Sequence, residues 1–114
     1  MTRIYKILAR DEWEAALVRG RFEGSAIDRA DGFIHFSTAG QARETARRHF
    51  HGQDGLIVLA VEAESLGPAL RWEASRGGAL FPHLYSAPAA ALAIEARPAP
   101  LGPDGVPDMG DLVP

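Results

Sequence analysis

The sequence predicts an α+β domain built around a largely antiparallel sheet. Strand-like and helix-like segments follow one another without a regular βαβ alternation, which argues against an all-parallel sheet. The 114 residues, 46% of them hydrophobic, are the size of one ordinary domain with its own core. The absence of cysteine excludes a disulfide framework, a thiolate zinc site and a cysteine nucleophile.

Charge and hydropathy narrow the expected partners and compartment. The formal net charge is −3 and the isoelectric point is about 5.7, so nucleic acid is an unfavourable partner and a small molecule or nucleotide fits better. No window approaches the roughly 18 consecutive apolar residues of a membrane span, and the N-terminus lacks a secretory apolar region. We therefore expect a soluble, cytoplasmic protein that does not associate with membranes.

The first strand and the first helix are predicted within the N-terminal twenty residues. Residues 3–8 (RIYKIL) are rich in β-branched and aromatic side chains, which favours a strand. Asp11 stands where an N-cap is expected, with Glu14 three residues later, and apolar residues follow at helical spacing until Gly20. These signals predict a helix that ends at Gly20.

A loop and a covered strand are predicted next. Residues 20–32 mix three glycines with serine and aspartate, which is typical of a loop. Residues 31–38 (DGFIHFST) open on a turn dipeptide and place apolar groups on both faces, as in a strand covered on both sides. Alternation along this strand predicts that His35 shares a face with Phe33 and Ser37.

The second helix is predicted to begin at a capping box. Thr38 and Gln41 have the required spacing, and alanines together with Phe50 recur on the inward face. The outward face carries arginines, which we interpret as a solvated surface: Arg43, Arg47 and Arg48.

Three further strands are predicted in the second half of the chain. Residues 56–61 (LIVLAV) form a continuous apolar run, so this strand should be the most buried. Residues 70–73 alternate apolar with charged side chains, and residues 75–79 (SRGGA) form a turn. Residues 80–85 are also strand-like, but Pro82 cannot donate a hydrogen bond, which predicts an edge or a bulge.

A last strand and a tail complete the predicted organisation. Residues 91–96 are assigned as the final strand, so that residues 1–97 form a single α+β domain. Five prolines and three glycines then fall within the last 18 residues. Residues 98–114 are therefore expected to form a Pro/Gly-rich tail, either loosely ordered or draped over the body.

Two residues are candidates for catalysis. His35 is an imidazole on a covered strand, so it either lines a site or is a core histidine with a fixed hydrogen-bond partner. Glu73 lies on the charged face of its strand, where it either pairs with a neighbouring arginine or acts on a ligand. As a ligand-facing carboxylate it would hold a ribose hydroxyl or stabilise an oxocarbenium-like transition state.

Further residues are candidates for ligand binding. The run Arg76-Gly77-Gly78 forms either a plain hairpin turn or an anion cradle, in which backbone N–H groups and a guanidinium hold phosphate. His83 and Tyr85 share a strand face, where they either pack or contact a planar ring. The hydroxyl of Ser37 is a further candidate, and the four histidines lack the spacing of a metal site.

Several of these motifs together resemble a known family. They are IYKI at the start, Trp13, Gly24-Ser25 followed by Asp28, the stretch DGFIHFSTAGQ, His49-Phe50, and WEASRGGALFPHLY at residues 72–85. In this order the chain resembles, from residue 4 to about 96, the bacterial proteins grouped as domain of unknown function 952.

The resemblance implies a fold and a candidate cofactor. That family is similar to the ADP-ribosyltransferase-like proteins, whose α+β fold has a split sheet with NAD in the cleft. Their usual triad is a first-strand histidine or arginine, a central-strand serine or tyrosine and a late glutamate. Here the first strand offers Tyr5 and Lys6, the hydroxyl motif falls at Ser37 and Thr38, and Glu73 matches the acid.

The sequence leaves three functions open. The first is an NAD- or nucleotide-dependent transferase or hydrolase, with its cleft between residues 31–38 and 72–85. In it Glu73 and His35 would be catalytic, and the hydroxyl, glycine-turn, histidine and tyrosine groups would bind the ligand. The second is a non-catalytic binder of a small anionic or nucleotide-like metabolite, and the third is a protein-interaction domain that uses an exposed strand edge or the tail.

Overall fold

The computed structural model describes residues 1–114, apart from the side chain of Arg76. Its helices and strands follow the chain in this order: β1 (Arg3–Ala9), α1 (Arg10–Arg19), α2 (Ala26–Asp31), β2 (Ile34–His35), β3 (Ser37–Thr38), α3 (Ala39–His49), β4 (Leu56–Glu62), β5 (Leu70–Ala74), β6 (Leu80–Leu84) and β7 (Ala93–Ala99). Short 3₁₀ segments lie at Ala63–Ala69, Arg76–Gly78 and Ala90–Leu92.

The strands form two antiparallel sheets. A four-stranded sheet has the order β3-β1-β4-β7, and a three-stranded sheet has the order β2-β6-β5. The predicted α+β class and its antiparallel pairing are confirmed. Strand β4 is buried along almost its whole length, as its apolar run predicted.

Both faces of the four-stranded sheet are covered, which divides the core into two layers. On one face, β1 and β4 pack with Trp13 of α1 and with Ile34 and Leu84 of the small sheet. On the other face they pack with the alanines of α3 and with Val106 and Met109 near the C-terminus. Because neighbouring side chains of β1 point to opposite faces, this short strand contributes to both layers.

The loop prediction for residues 20–32 is wrong in part, because α2 lies within it. The Ser25 hydroxyl accepts the Asp28 N–H at 3.4 Å, and the Asp28 carboxylate accepts the Ser25 N–H at 2.9 Å, which forms a capping box. The helix then ends at Gly32, whose φ of 89° is the left-handed conformation that glycine adopts without strain. Two caps thus support a six-residue helix in a glycine-rich stretch.

The N-cap of α1 also differs from its prediction. The cap residue is Ala9, whose N–H donates to the Glu12 carboxylate at 3.3 Å, and Asp11 lies inside the first turn. The predicted end at Gly20 is confirmed, with φ of 78°. At α3 the Gln41 half of the predicted capping box forms, since the Gln41 Oε1 accepts the Thr38 N–H at 3.0 Å.

The single strand predicted over residues 31–38 is divided between the two sheets. Ile34 and His35 pair with β6 in the small sheet, whereas Ser37 and Thr38 pair with β1 in the large sheet. The chain crosses between the sheets at Phe36, which is buried in the layer between them. His35 and Ser37 therefore belong to different sheets, which corrects the expectation that they share one strand face.

Pro82 lies in the central strand of the small sheet, which corrects the prediction of an edge strand. The Pro82 carbonyl accepts the Phe36 N–H at 3.0 Å, so the position of its missing N–H faces β2. Strand β2 ends one residue earlier, at His35. The proline consequently removes only the last bond of this ladder, and the pairing with β5 is unaffected.

The segment after β7 packs on the body of the protein. Val106, Pro107 and Met109 are buried, and the Gly52 N–H donates to the Gly105 carbonyl at 2.7 Å. The Tyr5 hydroxyl of β1 donates to the Val113 carbonyl. In the part of the chain that the structure describes, no helix is long and apolar enough to cross a membrane.

Candidate functional site

The candidate site lies on the outer face of the small sheet. Directly paired residues of antiparallel strands share a face, and the pairs Arg71↔His83, Glu73↔Phe81 and His35↔His83 thus align their side chains. The opposite face of the same strands, with Ile34 and Leu84, packs on the core. We call the set of side chains on the outer side the His83 face, in which His83 itself is buried and Arg71 and Tyr85 are exposed: Phe33, His35, Arg71, Glu73, His83 and Tyr85.

Glu73 is the carboxylate at the centre of the His83 face. Its Oε1 accepts the Tyr85 hydroxyl at 2.7 Å and lies 2.9 Å from His83 Nδ1. These hydrogen bonds, first from Tyr85 and then from His83, lower the pKa of Glu73, and the same carboxylate raises the pKa of Tyr85. At neutral pH Glu73 is therefore an oriented anion and not a proton donor.

Aromatic rings surround this carboxylate. Phe33 stacks on His83 with ring centroids 4.2 Å apart, and it lies 4.4 Å from His35 and 5.3 Å from Tyr85. The guanidinium carbon of Arg71 is 5.2 Å from the centre of the Tyr85 ring, within cation–π range. The face thus combines flat apolar surfaces with one negative and one positive group, which suits a planar, polar ligand.

His35 is held between two carboxylates. Its Nδ1 is 2.7 Å from Asp28 Oδ1, its Nε2 is 3.0 Å from Asp31 Oδ2, and its backbone N–H donates to Asp28 Oδ1 at 3.1 Å. Both ring contacts are hydrogen bonds at the same time only when both nitrogens carry a proton. His35 thus bridges the buried Asp28 carboxylate and the exposed Asp31 carboxylate.

Asp28 connects this histidine to a buried lysine. Lys6 Nζ lies 2.9 Å from Asp28 Oδ2, and the two side chains are 7% and 1% exposed. Burial by itself raises the pKa of Asp28, but the His35 hydrogen bond and the Lys6 charge outweigh it and hold the pKa well below its usual range. Burial lowers the pKa of Lys6, and the Asp28 charge offsets part of that shift.

Gly24 is required by the close approach of the chain to Asp28. A Cβ at this position would lie 2.8 Å from the Asp28 Cβ, and the φ of 95° is strained for any other residue. The Gly24 carbonyl also accepts Arg29 Nη1 at 2.6 Å. This glycine therefore lets the loop close over the carboxylate that positions His35.

The structure brings together four of the site residues selected from the sequence and separates others. Glu73, His83, Tyr85 and His35 lie on the His83 face. The Ser37 hydroxyl is instead 3.0 Å from the Thr45 hydroxyl, on the far side of the sheet crossing.

The glycine turn lies between β5 and β6. Gly77 and Gly78 have φ of 68° and 82°, and the Gly78 N–H donates to the Ser75 carbonyl at 2.8 Å, which closes the turn. That N–H is already engaged within the hairpin. The side chain of Arg76 lies outside the described part of the structure, so the anion cradle stays a prediction.

Sequence reasoning missed several residues of this arrangement as site residues. They are Phe33, Lys6, Asp28, Asp31 and Arg71. The Ser25-x-x-Asp28 spacing was the available signal, because it predicts a cap that fixes the Asp28 carboxylate. No local pattern connects Lys6 with Asp28, which are 22 residues apart.

A depression in the surface lies away from the His83 face. It has a volume of about 290 Å³ between α3 and the C-terminal segment, and its lining includes Arg43, Glu44 and Asp104. These groups pair with one another or with neighbouring arginines. Among the described residues, no group of three or more His, Cys, Asp or Glu side chains is arranged to hold a metal ion.

The fold and the sequence define the family of the protein. The chain belongs to the family described as Protein of unknown function (DUF952), which matches residues 7–96. It is similar to the crystal structure of protein CC0527 from Caulobacter crescentus, with 58% identity over 94% of each chain and a TM-score of 0.91. The solution NMR structure of CC0527 is 59% identical, with 94% of this chain and 92% of that one covered and a TM-score of 0.84. No curated protein matches the chain.

Proposed function

We propose that the protein is a transferase or hydrolase that acts on NAD or a related nucleotide at the His83 face, and that its fold is ADP-ribosyltransferase-like. The observation that carries this proposal is the oriented, ionised Glu73, which accepts the Tyr85 hydroxyl and faces His83. A second support is the wall of rings around it, which can stack on a planar base.

The chemistry of such a ligand matches an anionic carboxylate. When the bond between the ribose anomeric carbon and the nicotinamide nitrogen breaks, both bonding electrons leave with nicotinamide and positive charge develops on the ribose. A fixed carboxylate stabilises that charge most where it is already oriented, as Glu73 is by two hydrogen bonds. In hydrolysis, water then adds a hydroxyl to the anomeric carbon and releases one proton.

The resemblance also assigns Lys6 an unusual place. It stands on the first strand, where the ADP-ribosyltransferase-like proteins usually have histidine or arginine. Here its charge is directed at Asp28 inside the protein. We therefore assign it to the support of His35, and we assign contact with the nucleotide to His35, Glu73 and Tyr85.

The test combines binding and product detection. Calorimetric titration with NAD, NADP and ADP-ribose is expected to give saturable heat, and NMR is expected to detect free nicotinamide on incubation with NAD. Glu73→Gln keeps the size of the side chain and removes its charge, so turnover should fall by a factor of about a hundred or more. Glu44→Gln is the matched control, since Glu44 is an exposed carboxylate on α3 with arginine partners. Absence of heat with all three ligands at millimolar concentration would reject the proposal.

A second function is favoured by the state of His35. Both of its ring nitrogens face carboxylates, so neither is free to act as a base in this arrangement. We propose as the alternative a non-catalytic binder of a small anionic or nucleotide-like metabolite at the same face. It predicts saturable binding with the ligand recovered unchanged after long incubation, and release of nicotinamide from NAD would exclude it.

A further inference from the structure

The two carboxylates that hold His35 differ in how firmly they are fixed. Asp28 is 1% exposed, and it also accepts hydrogen bonds from the Ser25 N–H and from Lys6. Asp31 is 52% exposed, and among the described residues its side chain pairs with His35 Nε2 alone. Asp31 is therefore the partner that can leave without breaking the buried network.

The position of Asp31 in α2 also favours its exchange. It is the last residue of the helix, where unpaired carbonyl groups disfavour an acidic side chain. Gly32 follows in a left-handed conformation, and a Cβ built on it would meet nothing within 4 Å, so the turn beyond α2 is open on that side. The His35 contact is the favourable interaction that retains the carboxylate there.

We propose that His35 Nε2 is a binding site for an oxyanion, and that Asp31 occupies it as an internal substitute until the phosphate or carboxylate group of a ligand displaces it. When Asp31 moves away, the Nε2 position is left open beside the Phe33 ring, 4.4 Å from the His35 ring centre, where a protonated imidazole donates a charge-assisted hydrogen bond to an oxyanion. The ring keeps its orientation because the buried Asp28 carboxylate still holds Nδ1.

The surrounding charges are consistent with one bound anion. Three side chains face His35 directly: Asp28 and Asp31 of α2 and His83 of β6. Lys6 of β1 is connected to it through Asp28, and Glu73 of β5 is connected to it through His83. With Asp31 displaced and the His35 ring protonated, the connected set of Lys6, Asp28 and His35 carries one net positive charge. This inference rests on the proposed function, in that the oxyanion at this site would be a phosphate of the nucleotide.

The test uses small anions, so that it does not depend on nucleotide binding. Inorganic phosphate and, in a separate arm, acetate are titrated while NMR records the ring nitrogen signals of His35. Asp31→Asn removes the charge that competes for Nε2, so we expect about tenfold tighter binding of the preferred anion. Asp11→Asn is the control, since it makes the same charge change at an exposed position on α1.

The comparison of phosphate with acetate identifies the anion, and the comparison of the variants tests the site. A gain with phosphate alone assigns the site to phosphate, and a gain with acetate alone assigns it to carboxylate. The gain should disappear when His35→Gln is added to Asp31→Asn. Equal affinities of Asp31→Asn and Asp11→Asn, or a gain that does not shift the His35 signals, would overturn the inference. Failure to release nicotinamide from NAD would reject the proposed enzyme and leave this result unchanged.

Discussion

Lys6 and Asp28 form an ion pair inside the protein, with 2.9 Å between Nζ and Oδ2. Lys6 lies on the face of β1 that also carries Ile4 and Leu8, so its ammonium group enters the apolar layer between the two sheets. The buried charge is stabilised because the Asp28 carboxylate pairs with it. Asp28 in turn accepts hydrogen bonds from the backbone N–H groups of Ser25 and His35. The pair connects the core of the large sheet to the His83 face.

Asp28→Asn is expected to destabilise the protein strongly. The substitution leaves the Lys6 charge buried without its partner, which costs about 3–5 kcal/mol in free energy of unfolding. Urea denaturation followed by circular dichroism measures the change. Asp111→Asn serves as the control, since its side chain is exposed and its effect should be below about 0.5 kcal/mol. Similar losses in the two variants would show that the buried pair does not form in solution.

The same carboxylate predicts the response of the protein to acid. Because the pKa of Asp28 is lower in the folded protein than in the unfolded chain, the unfolded chain takes up the proton first as the pH falls. The stabilisation is then complete above about pH 5 and is lost as the pH decreases below about 4, the ordinary pKa of aspartate.

Urea denaturation at pH 7, 5 and 3 tests this dependence. The unfolding free energy of the parent protein should decrease between pH 5 and 3 by more than that of Asp28→Asn, which lacks the titrating group. Parallel decreases in both proteins would assign the acid sensitivity to other carboxylates.

Gly24→Ala should lower the stability of the protein more than Gly52→Ala, which places alanine at a glycine of similar conformation. At both Gly24 and Gly52 the φ is positive, 95° and 78°, so each substitution carries a backbone strain of about 1–2 kcal/mol. Only at Gly24 does the new Cβ also approach Asp28, at 2.8 Å from its Cβ, whereas nothing lies within 4 Å at Gly52. Differences in urea midpoint, together with a shift of the His35 NMR signals in Gly24→Ala alone, check this expectation. Equal midpoints for the two variants would contradict it.

The strands could be predicted from the sequence because their patterns are local, but the sheet each one joins could not. The apolar run of β4 and the alternation of β5 are visible in a few residues. The change of sheet at Phe36 depends on which strand lies beside the chain before and after it, and no short pattern records that. The proline rule failed at Pro82 for the same reason, because Pro82 lies opposite the end of β2 and removes only the last bond of that ladder.

The candidate site was predictable where its residues share a strand. Alternation placed His83 of β6 and Tyr85, just beyond the end of β6, on one face, and the charged face of β5 indicated Glu73. The connection from His35 through Asp28 to Lys6 joins three separate segments, so only the folded chain reveals it. The contact of Asp31 with His35 is also visible only in the folded chain. In the sequence, Asp31 belongs to a turn dipeptide, and the turn alone is enough to explain it.

The packing of residues 98–114 gives a last prediction, that this segment is draped over the body and not loose. Met109 is 6% exposed and packs in the layer that contains Tyr5 and Val58, whereas Val113 is 56% exposed. Met109→Ala should therefore lower the free energy of unfolding by about 2–5 kcal/mol. Val113→Ala should change it little, since the Val113 carbonyl that accepts the Tyr5 hydroxyl is retained. Thermal and urea denaturation of both variants measure the difference, and equal stabilities would mean that the segment does not stay on this layer in solution.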